Sequence, residues 1–293
     1  MFTISMIEGL LVIDKPKDWT SFDVVAKIRS LLGVKRVGHA GTLDPFATGL
    51  LLVAVGRATR LLEYMVLGKK EYAVTIHLGA ISDTYDVTGN IAVQEVSHVP
   101  TREEVLRAVH EFSGTILQTP PAFSAVHVGG KRAYDLARAG QTVEIPPREV
   151  WIDSKITSYD WPTLQLEVSC SSGTYIRSLV HDIGKVLHVG GYAEELRRLG
   201  SGEYLVDRAL PFSSATTSAE LVSLLLPVVE MKLDLPIFTL EKERRIAFLQ
   251  GKSTTLQEVS ESKIFAVYCE KELLGIGIVR SNELVPKKVL LFE

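Results

Sequence analysis

The segment from Gly38 to Gly49, GHAGTLDPFATG, holds two side chains whose types can do chemistry, His39 and Asp44. Its glycines and proline permit tight turns and a close approach of the backbone to a ligand. A carboxylate in such a loop can act as a nucleophile or as a proton acceptor. The Lys-Ser/Thr pair of a phosphate-binding loop is missing after Gly49, where two leucines stand. From residue types alone, Asp44 is equally compatible with a residue that starts an ordinary turn.

Three other segments contain candidate functional side chains. Tyr72 lies at the start of a predicted strand, Arg177 ends the stretch SGTYIR at the start of a predicted helix, and Leu196 opens the stretch LRRL. Each has an ordinary structural interpretation. These are core packing for the tyrosine, a surface arginine at a helix terminus, and the solvated face of a helix for LRRL. Residue types alone leave both interpretations open.

Other familiar chemistries are absent from the sequence. It contains no His-Glu-x-x-His zinc helix, no Gly-x-Ser-x-Gly nucleophile turn and no GxGxxG after a strand. The seven histidines show no metal-ligand spacing, and His77 is expected to be a structural strand residue. Metal and nicotinamide chemistry are therefore disfavoured.

Composition predicts a cytoplasmic globular protein. The chain has 293 residues, 46% of them hydrophobic, which suits about two domains. It lacks an apolar run of the roughly 18 residues that a membrane helix needs, and it lacks a secretory leader pattern. Two distant cysteines, Cys170 and Cys269, fit a reducing compartment.

Charge is distributed unevenly along the chain. The net charge is −3, yet residues 1–70 hold ten Lys and Arg against six Asp and Glu, and residues 71–130 hold two against seven. A locally basic face can attract nucleic acid through counterion release. An ordinary uneven surface explains the same numbers.

The reactive residues are carried by strands and helices that mix irregularly, which favours an α+β fold. A capping box at Thr20 predicts a helix that ends at Leu32, and the segment 34–49 is expected to be irregular. Strands are predicted at 9–14, 50–55, 71–78 and around a bend in 114–128, with a hairpin over 150–169. Helices are predicted at 57–65, after Thr101, at 131–139 and from Gly173.

The pattern of predicted secondary structure changes near Leu235-Pro236. A helix at 239–250 is followed by predicted short strands at 265–269, 274–279 and 288–292. We therefore expect a catalytic domain over residues 1–234 and a small β-rich module over residues 235–293. The absence of a low-complexity linker predicts that the two parts pack closely.

Taken together, five segments resemble the bacterial tRNA pseudouridine synthase B family. They are GLLVIDKP at 9–16, GHAGTLDPFATG at 38–49, KEYAV at 70–74, GTYIR at 173–177 and LRRL at 196–199. The resemblance spans about residues 8–210 and is weaker beyond. One departure is Asp18, where the family usually has glycine. Because Asp tolerates the left-handed conformation better than most residues, only the local loop geometry is affected.

The resemblance implies isomerisation of uridine 55 in the T arm of tRNA to pseudouridine, without a metal or an organic cofactor. It also implies a mixed-sheet α+β catalytic domain followed by a small β-barrel RNA-binding module of the PUA type, acting as a monomer. The resemblance makes Asp44 the nucleophile, with Arg177 holding its charge. Tyr72 is expected to stack on the base, with its hydroxyl near C5 for the final deprotonation. His39 is expected to fill the space left by the flipped base. Tyr175 and Leu196 line the uridine pocket, and Lys15 supports the loop that carries Asp44.

Two alternatives stay open at this stage. The chain could be an RNA-binding or tRNA-folding protein without catalysis, although Asp44, Tyr72 and Arg177 together speak against that. It could also be a pseudouridine synthase that acts on another RNA.

Overall fold

The computed structural model describes residues 7–66, 68–124, 126–141, 144–256 and 263–290. Side chains at positions 127, 128, 131, 132, 135 and 137 fall outside this description. The strands up to residue 211 are β1 (Gly9–Lys15), β2 (Val37–Ala40), β3 (Thr48–Val55), β4 (Lys70–Leu78), β5 (Ala80–Ser82), β6 (Ile91–Val93), β7 (Gly114–Gln118), β8 (His127–Val128), β9 (Lys131–Arg132), β10 (Arg148–Asp160), β11 (Thr163–Cys170), β12 (Gly191–Ser201), β13 (Tyr204–Leu205) and β14 (Leu210–Pro211).

The remaining strands and the helices complete the described chain. The C-terminal strands are β15 (Ile237–Thr239), β16 (Thr254–Thr255), β17 (Lys263–Cys269), β18 (Glu272–Arg280) and β19 (Glu283–Val289). The helices are α1 (Ser21–Leu32), α2 (Leu62–Met65), α3 (Arg102–Glu111), α4 (Ala133–Arg138), α5 (Ile176–Val186), α6 (Ser218–Ser223) and α7 (Lys242–Leu249). No described helix is long and apolar enough to cross a membrane.

A mixed sheet of ten described strands dominates the molecule. Its order is β14-β1-β3-β12-β4-β11-β10-β7, with β2 beside β3 and β13 beside β12. The β1–β14 and β3–β12 pairs are parallel, and the other pairs in this sheet are antiparallel. The C-terminal residues form a separate five-stranded sheet in the order β15-β17-β18-β19-β16. The predicted α+β class with a mixed sheet is confirmed.

Strand β3 is buried on both faces, which explains its nearly continuous apolar sequence. Leu50, Leu52 and Ala54 face a core that also contains Ala266 and Ile276 of the C-terminal sheet. The alternate residues of β3 face a second core against α1. The two parts of the chain therefore share apolar packing, as the missing linker predicted.

Several predicted elements lie close to their expected positions. A capping box at Thr20 starts α1, whose last residue is Leu32, and a second capping box at Thr101 starts α3. The hairpin predicted over 150–169 is the antiparallel β10–β11 pair, which turns at Trp161-Pro162.

Other predictions were wrong in detail. The segment expected to be irregular contains β2, and α5 begins at Ile176 because residues 171–174 form a turn. Residues 131–139 begin with the short strand β9 before α4. The last predicted strand lies earlier, at Glu283–Val289, and residues 291 and 292 of that prediction fall outside the described part of the chain.

The LRRL stretch is not a solvated helix face. It lies in β12, between β3 and β4, where Leu196 and Arg198 are both buried. The two adjacent arginines suggested a solvent-exposed surface. The pairing of β12 with two strands that are distant in sequence instead places this stretch inside the sheet.

Gly49 permits the close parallel contact between β3 and β12. Its φ is +101°, and a Cβ there would lie 2.3 Å from the carbonyl oxygen of Arg198. Gly114 has a similar φ of +88°, but no atom lies within 4 Å of its Cβ position. Gly114 thus isolates the cost of backbone conformation from the cost of overlap.

We expect Gly49→Ala to lower the free energy of unfolding by about 3 kcal/mol, because it adds steric overlap to left-handed strain. Gly114→Ala should cost only about 1 kcal/mol. Urea unfolding followed by circular dichroism measures both. Equal losses for the two variants would contradict the close-contact explanation.

Candidate active site

The loop between β2 and β3 presents Asp44, and the residues on both sides of it are fixed. The Leu43 N–H donates to Ser21 Oγ at 2.9 Å, and the Asp18 N–H donates to the Pro45 carbonyl oxygen at 2.8 Å. Asp18 has a φ of +66°, so the aspartate adopts the left-handed conformation expected at that position. These contacts restrain the backbone on both sides of the carboxylate.

Lys15 lies beneath the same loop and is fully buried. Its ammonium group donates to the carbonyl oxygens of Pro16 at 2.9 Å, Trp19 at 2.6 Å and Pro45 at 3.3 Å. Burial lowers the pKa of Lys15 to about 8, while the negative charge of Asp44 raises it. The lysine thus directs all three of its contacts to backbone, which suits the supporting position predicted for it.

Asp44 and Arg177 form a two-point ion pair. Arg177 Nε lies 2.9 Å from Asp44 Oδ2, and Arg177 Nη2 donates to Oδ1 at 3.2 Å. The arginine side chain is 5% exposed, whereas the carboxylate side chain is 34% exposed. The pair therefore fixes the orientation of the carboxylate and leaves it accessible to a ligand.

Arg177 is in turn held by groups that sequence reasoning did not identify. Its Nη1 donates to the Thr84 carbonyl oxygen and its Nη2 to the Phe123 carbonyl oxygen, both at 2.9 Å. Nη1 also lies 3.4 Å from Asp86 Oδ2. Asp86 is buried and accepts a hydrogen bond from Thr84 Oγ1 at 2.8 Å. No local sequence pattern singles out Asp86, because its partner Arg177 lies 91 positions away.

The ionisation of Asp44 depends on competing effects. Burial raises the pKa of its carboxyl group above the usual value, Arg177 lowers it, and the nearby charge of Asp86 raises it. Arg177 is therefore the strongest influence that favours the charged carboxylate.

Tyr72 lies on β4, directly opposite Arg198 on β12. Arg198 is 1% exposed, and its Nε donates to the Leu50 carbonyl oxygen at 2.6 Å and its Nη2 to that of Gly41 at 3.2 Å. Its positive charge also lowers the pKa of the Tyr72 hydroxyl, against the larger effect of burial. Burial raises the pKa of the Tyr72 hydroxyl, so the phenol is neutral near pH 7. Arg198 was visible in the sequence only as part of the LRRL motif.

The other predicted residues surround this group. His39 lies on β2, where burial and the charge of Arg198 lower its pKa, so the imidazole is neutral near pH 7. Tyr175 precedes α5, and the guanidinium of Arg148 lies 4.7 Å from its ring centroid. Leu196 is buried on β12 opposite Val74.

The arrangement supports acid–base or nucleophilic chemistry by one carboxylate. Asp44 is an oriented carboxyl group, Arg177 favours its charged form, and Tyr72 offers an aromatic ring with a neutral hydroxyl. In the described part of the chain, no group of His, Cys, Asp and Glu could hold a metal ion.

Comparisons with known proteins agree with one another. Residues 29–176 match the model of the TruB family pseudouridylate synthase N-terminal domain. A tRNA pseudouridine synthase B from Microcystis aeruginosa is 41% identical over 299 residues, which cover 96% of this chain and 99% of that protein. One from Chlamydia abortus is 47% identical over 204 residues, covering 69% of this chain and 86% of that protein.

Solved structures show the same fold. A Cbf5-Nop10-Gar1 complex contains a chain with a TM-score of 0.74 and 23% identity, covering 96% of this chain and 84% of that one. An H/ACA RNP bound to a substrate RNA containing 2′-deoxyuridine gives a TM-score of 0.73 at 22% identity, covering 97% and 85%.

We expect Arg177→Gln to raise the pKa of Asp44, because the substitution removes the main positive influence on a half-buried carboxyl group. Carboxyl ¹³C NMR titration measures this directly, with Asp44→Asn used to assign the resonance. The midpoint should move to higher pH, so a smaller fraction of Asp44 is ionised at any mildly acidic pH. A midpoint that stays in place or falls would contradict the assigned role of Arg177.

Proposed function

This chain belongs to the TruB family of pseudouridylate synthases, and on that premise we propose that it isomerises uridine 55 in the T arm of tRNA to pseudouridine. The relatives named tRNA pseudouridine synthase B support tRNA as the substrate class. Position 55 follows from the resemblance of the five sequence motifs. Family membership makes the chain an enzyme and disfavours the alternative of RNA binding without catalysis.

The observation that carries the proposal is the accessible Asp44 carboxylate held by buried Arg177. Pseudouridine formation breaks the N1–C1′ bond, rotates the base and forms a C5–C1′ bond. Asp44 can attack C1′ covalently, or it can remove a proton from the sugar. Both routes require the ionised carboxylate that the ion pair favours.

The pocket residues are assigned to the base and to the space it leaves. Tyr72 stacks on the uracil ring, and Tyr175 and Leu196 line the pocket around it. A uridine stacked within the T loop is out of reach of Asp44, so the enzyme flips it outward. His39 fills the vacated space, and its neutral imidazole avoids burying a charge there.

Each of the two sheets belongs to a part of the chain with its own proposed function. We assign residues 1–234 to catalysis and residues 235–293 to a PUA-like RNA-binding module, which contains the separate five-stranded sheet. The protein acts in the cytoplasm as a monomer, and an isolated T stem-loop is a sufficient substrate. Sequence-specific RNA recognition usually targets looped, unstacked bases, which favours the stem-loop over a paired duplex.

We expect Asp44→Asn to abolish pseudouridine formation while RNA affinity stays within a few-fold of the wild-type value. The substitution removes the reacting group, whereas phosphate contacts supply most of the affinity. Mass spectrometry of a T stem-loop measures pseudouridine, and filter binding measures affinity.

Asp153→Asn is the matched control, because Asp153 is an exposed strand residue on β10. It should leave the reaction rate unchanged. Multiple turnover by Asp44→Asn would contradict the assignment of Asp44. Wild-type activity on another RNA but not on the T stem-loop would favour the alternative substrate.

We expect His39→Ala to slow the reaction on the folded T stem-loop about tenfold or more, since a few kcal/mol of unstacking is at stake. The loss should be smaller on an unstructured RNA that presents the same uridine. Single-turnover rates on the two substrates give the comparison. Equal losses would assign His39 to loop packing or to chemistry instead.

A further inference from the structure

We propose that Arg198 is a positioning residue for the Tyr72 hydroxyl, which it holds as a hydrogen-bond donor to a carbonyl oxygen of the departing uracil. This inference rests on the proposed function, because it concerns the base that Asp44 releases. It assigns to the hydroxyl a role different from removal of the C5 proton.

The first argument is the position of Arg198 in the sheet. Arg198 and Tyr72 are direct partners in the antiparallel β12–β4 pair, so their side chains start on the same face only about 5 Å apart. The guanidinium is fixed by the carbonyl oxygens of Leu50 and Gly41. Arg198 therefore lies on the same face of the sheet as the phenol and is held by a rigid support.

The second argument is the direction that the proposed hydrogen bond must have. A guanidinium only donates, so in a contact between these cross-strand partners the Tyr72 oxygen is the acceptor. The phenolic hydrogen is then left to donate elsewhere, and the cation behind the oxygen makes it a stronger donor. A neutral phenol in this state is a poor proton acceptor and a good hydrogen-bond donor.

The third argument is charge balance within the site. Among the described side chains, Arg198 has no carboxylate within ion-pair distance, although it is buried. It instead lies near other cations, since its charge lowers the pKa values of Lys15 and Lys70. A buried cation without an anionic partner is costly, which makes the site favourable for an anion that forms during the reaction.

The reaction supplies such an anion. When the N1–C1′ bond breaks, uracil keeps the electron pair, and the charge spreads over N1 and the two carbonyl oxygens. Asp44 loses its negative charge in the same stage, either by bonding to C1′ or by accepting a sugar proton. One negative charge thus moves from the side of Arg177 to the base, where the Tyr72 hydroxyl and Arg198 stabilise it.

A double-mutant cycle tests whether Arg198 acts through Tyr72. Single-turnover rates on the T stem-loop are measured for the wild type, R198K, Y72F and the double variant. We expect Y72F to lose about 10²–10⁴-fold and R198K to lose about 10²-fold. The double variant should be no slower than Y72F alone, because the hydroxyl that Arg198 positions is already missing.

The control for R198K is R197K, since Arg197 is the adjacent arginine and pairs with Asp14 outside the site. R197K should react at the wild-type rate, and thermal unfolding should confirm that all variants fold. Losses that multiply in the double variant would overturn the proposal, because a general disturbance by R198K would add to the effect of Y72F. A wild type that forms no pseudouridine would instead refute the proposed function.

A second measurement does not depend on how R198K folds. Stem-loops carrying 2-thiouridine or 4-thiouridine at the target position replace one carbonyl oxygen with sulfur, which is a weaker hydrogen-bond acceptor. If the Tyr72 hydroxyl donates to one of these oxygens, the rate ratio of wild type to Y72F should shrink at least tenfold for one of the two substrates. An unchanged ratio for both would overturn the donor role.

Discussion

The geometry of the candidate active site depends on the balance of charges around one carboxyl group, at a place where burial penalises its charged form. Burial disfavours the ionised form of Asp44, and the neighbouring Asp86 disfavours it further. Arg177 compensates, but only because backbone carbonyl oxygens and Asp86 hold its guanidinium in place. Asp86 thus has opposite effects, since it positions the arginine while it repels the carboxylate. The ion pair is a balance between these contributions.

The sheet brings the required groups together from distant parts of the sequence. Arg177 lies in the first turn of α5, Asp44 lies in the β2–β3 loop, and Tyr72 and Arg198 face each other across β4 and β12. The close parallel contact of β3 with β12 is what joins the Asp44 loop to the strand that carries Arg198. Carbonyl oxygens of loops and strand ends accept hydrogen bonds from the buried cations of this site, which lowers the free-energy cost of burying them.

Local signals predicted the local structure well. The capping box at Thr20, the apolar run of β3 and the alternation of β4 depend on neighbours in sequence, and the structure confirms all three. The resemblance of five motifs predicted the family, which the comparisons confirm. Arg198 and Asp86 were missed for one shared reason. Their burial arises from pairing and packing with segments more than 90 positions away, and no local pattern encodes that.

The two-sided burial of β3 also bears on how the protein moves. Its backbone is paired with β1 along one edge and with β2 and β12 along the other, and both of its faces are covered. Amide hydrogens in such a strand exchange with solvent only through large-scale opening of the molecule. The loop that presents Asp44 therefore leads directly into a strand whose amide hydrogens we expect to exchange slowly. Thermal fluctuation of the Asp44 carboxyl group is therefore expected to be limited to side-chain rotation and small loop motions.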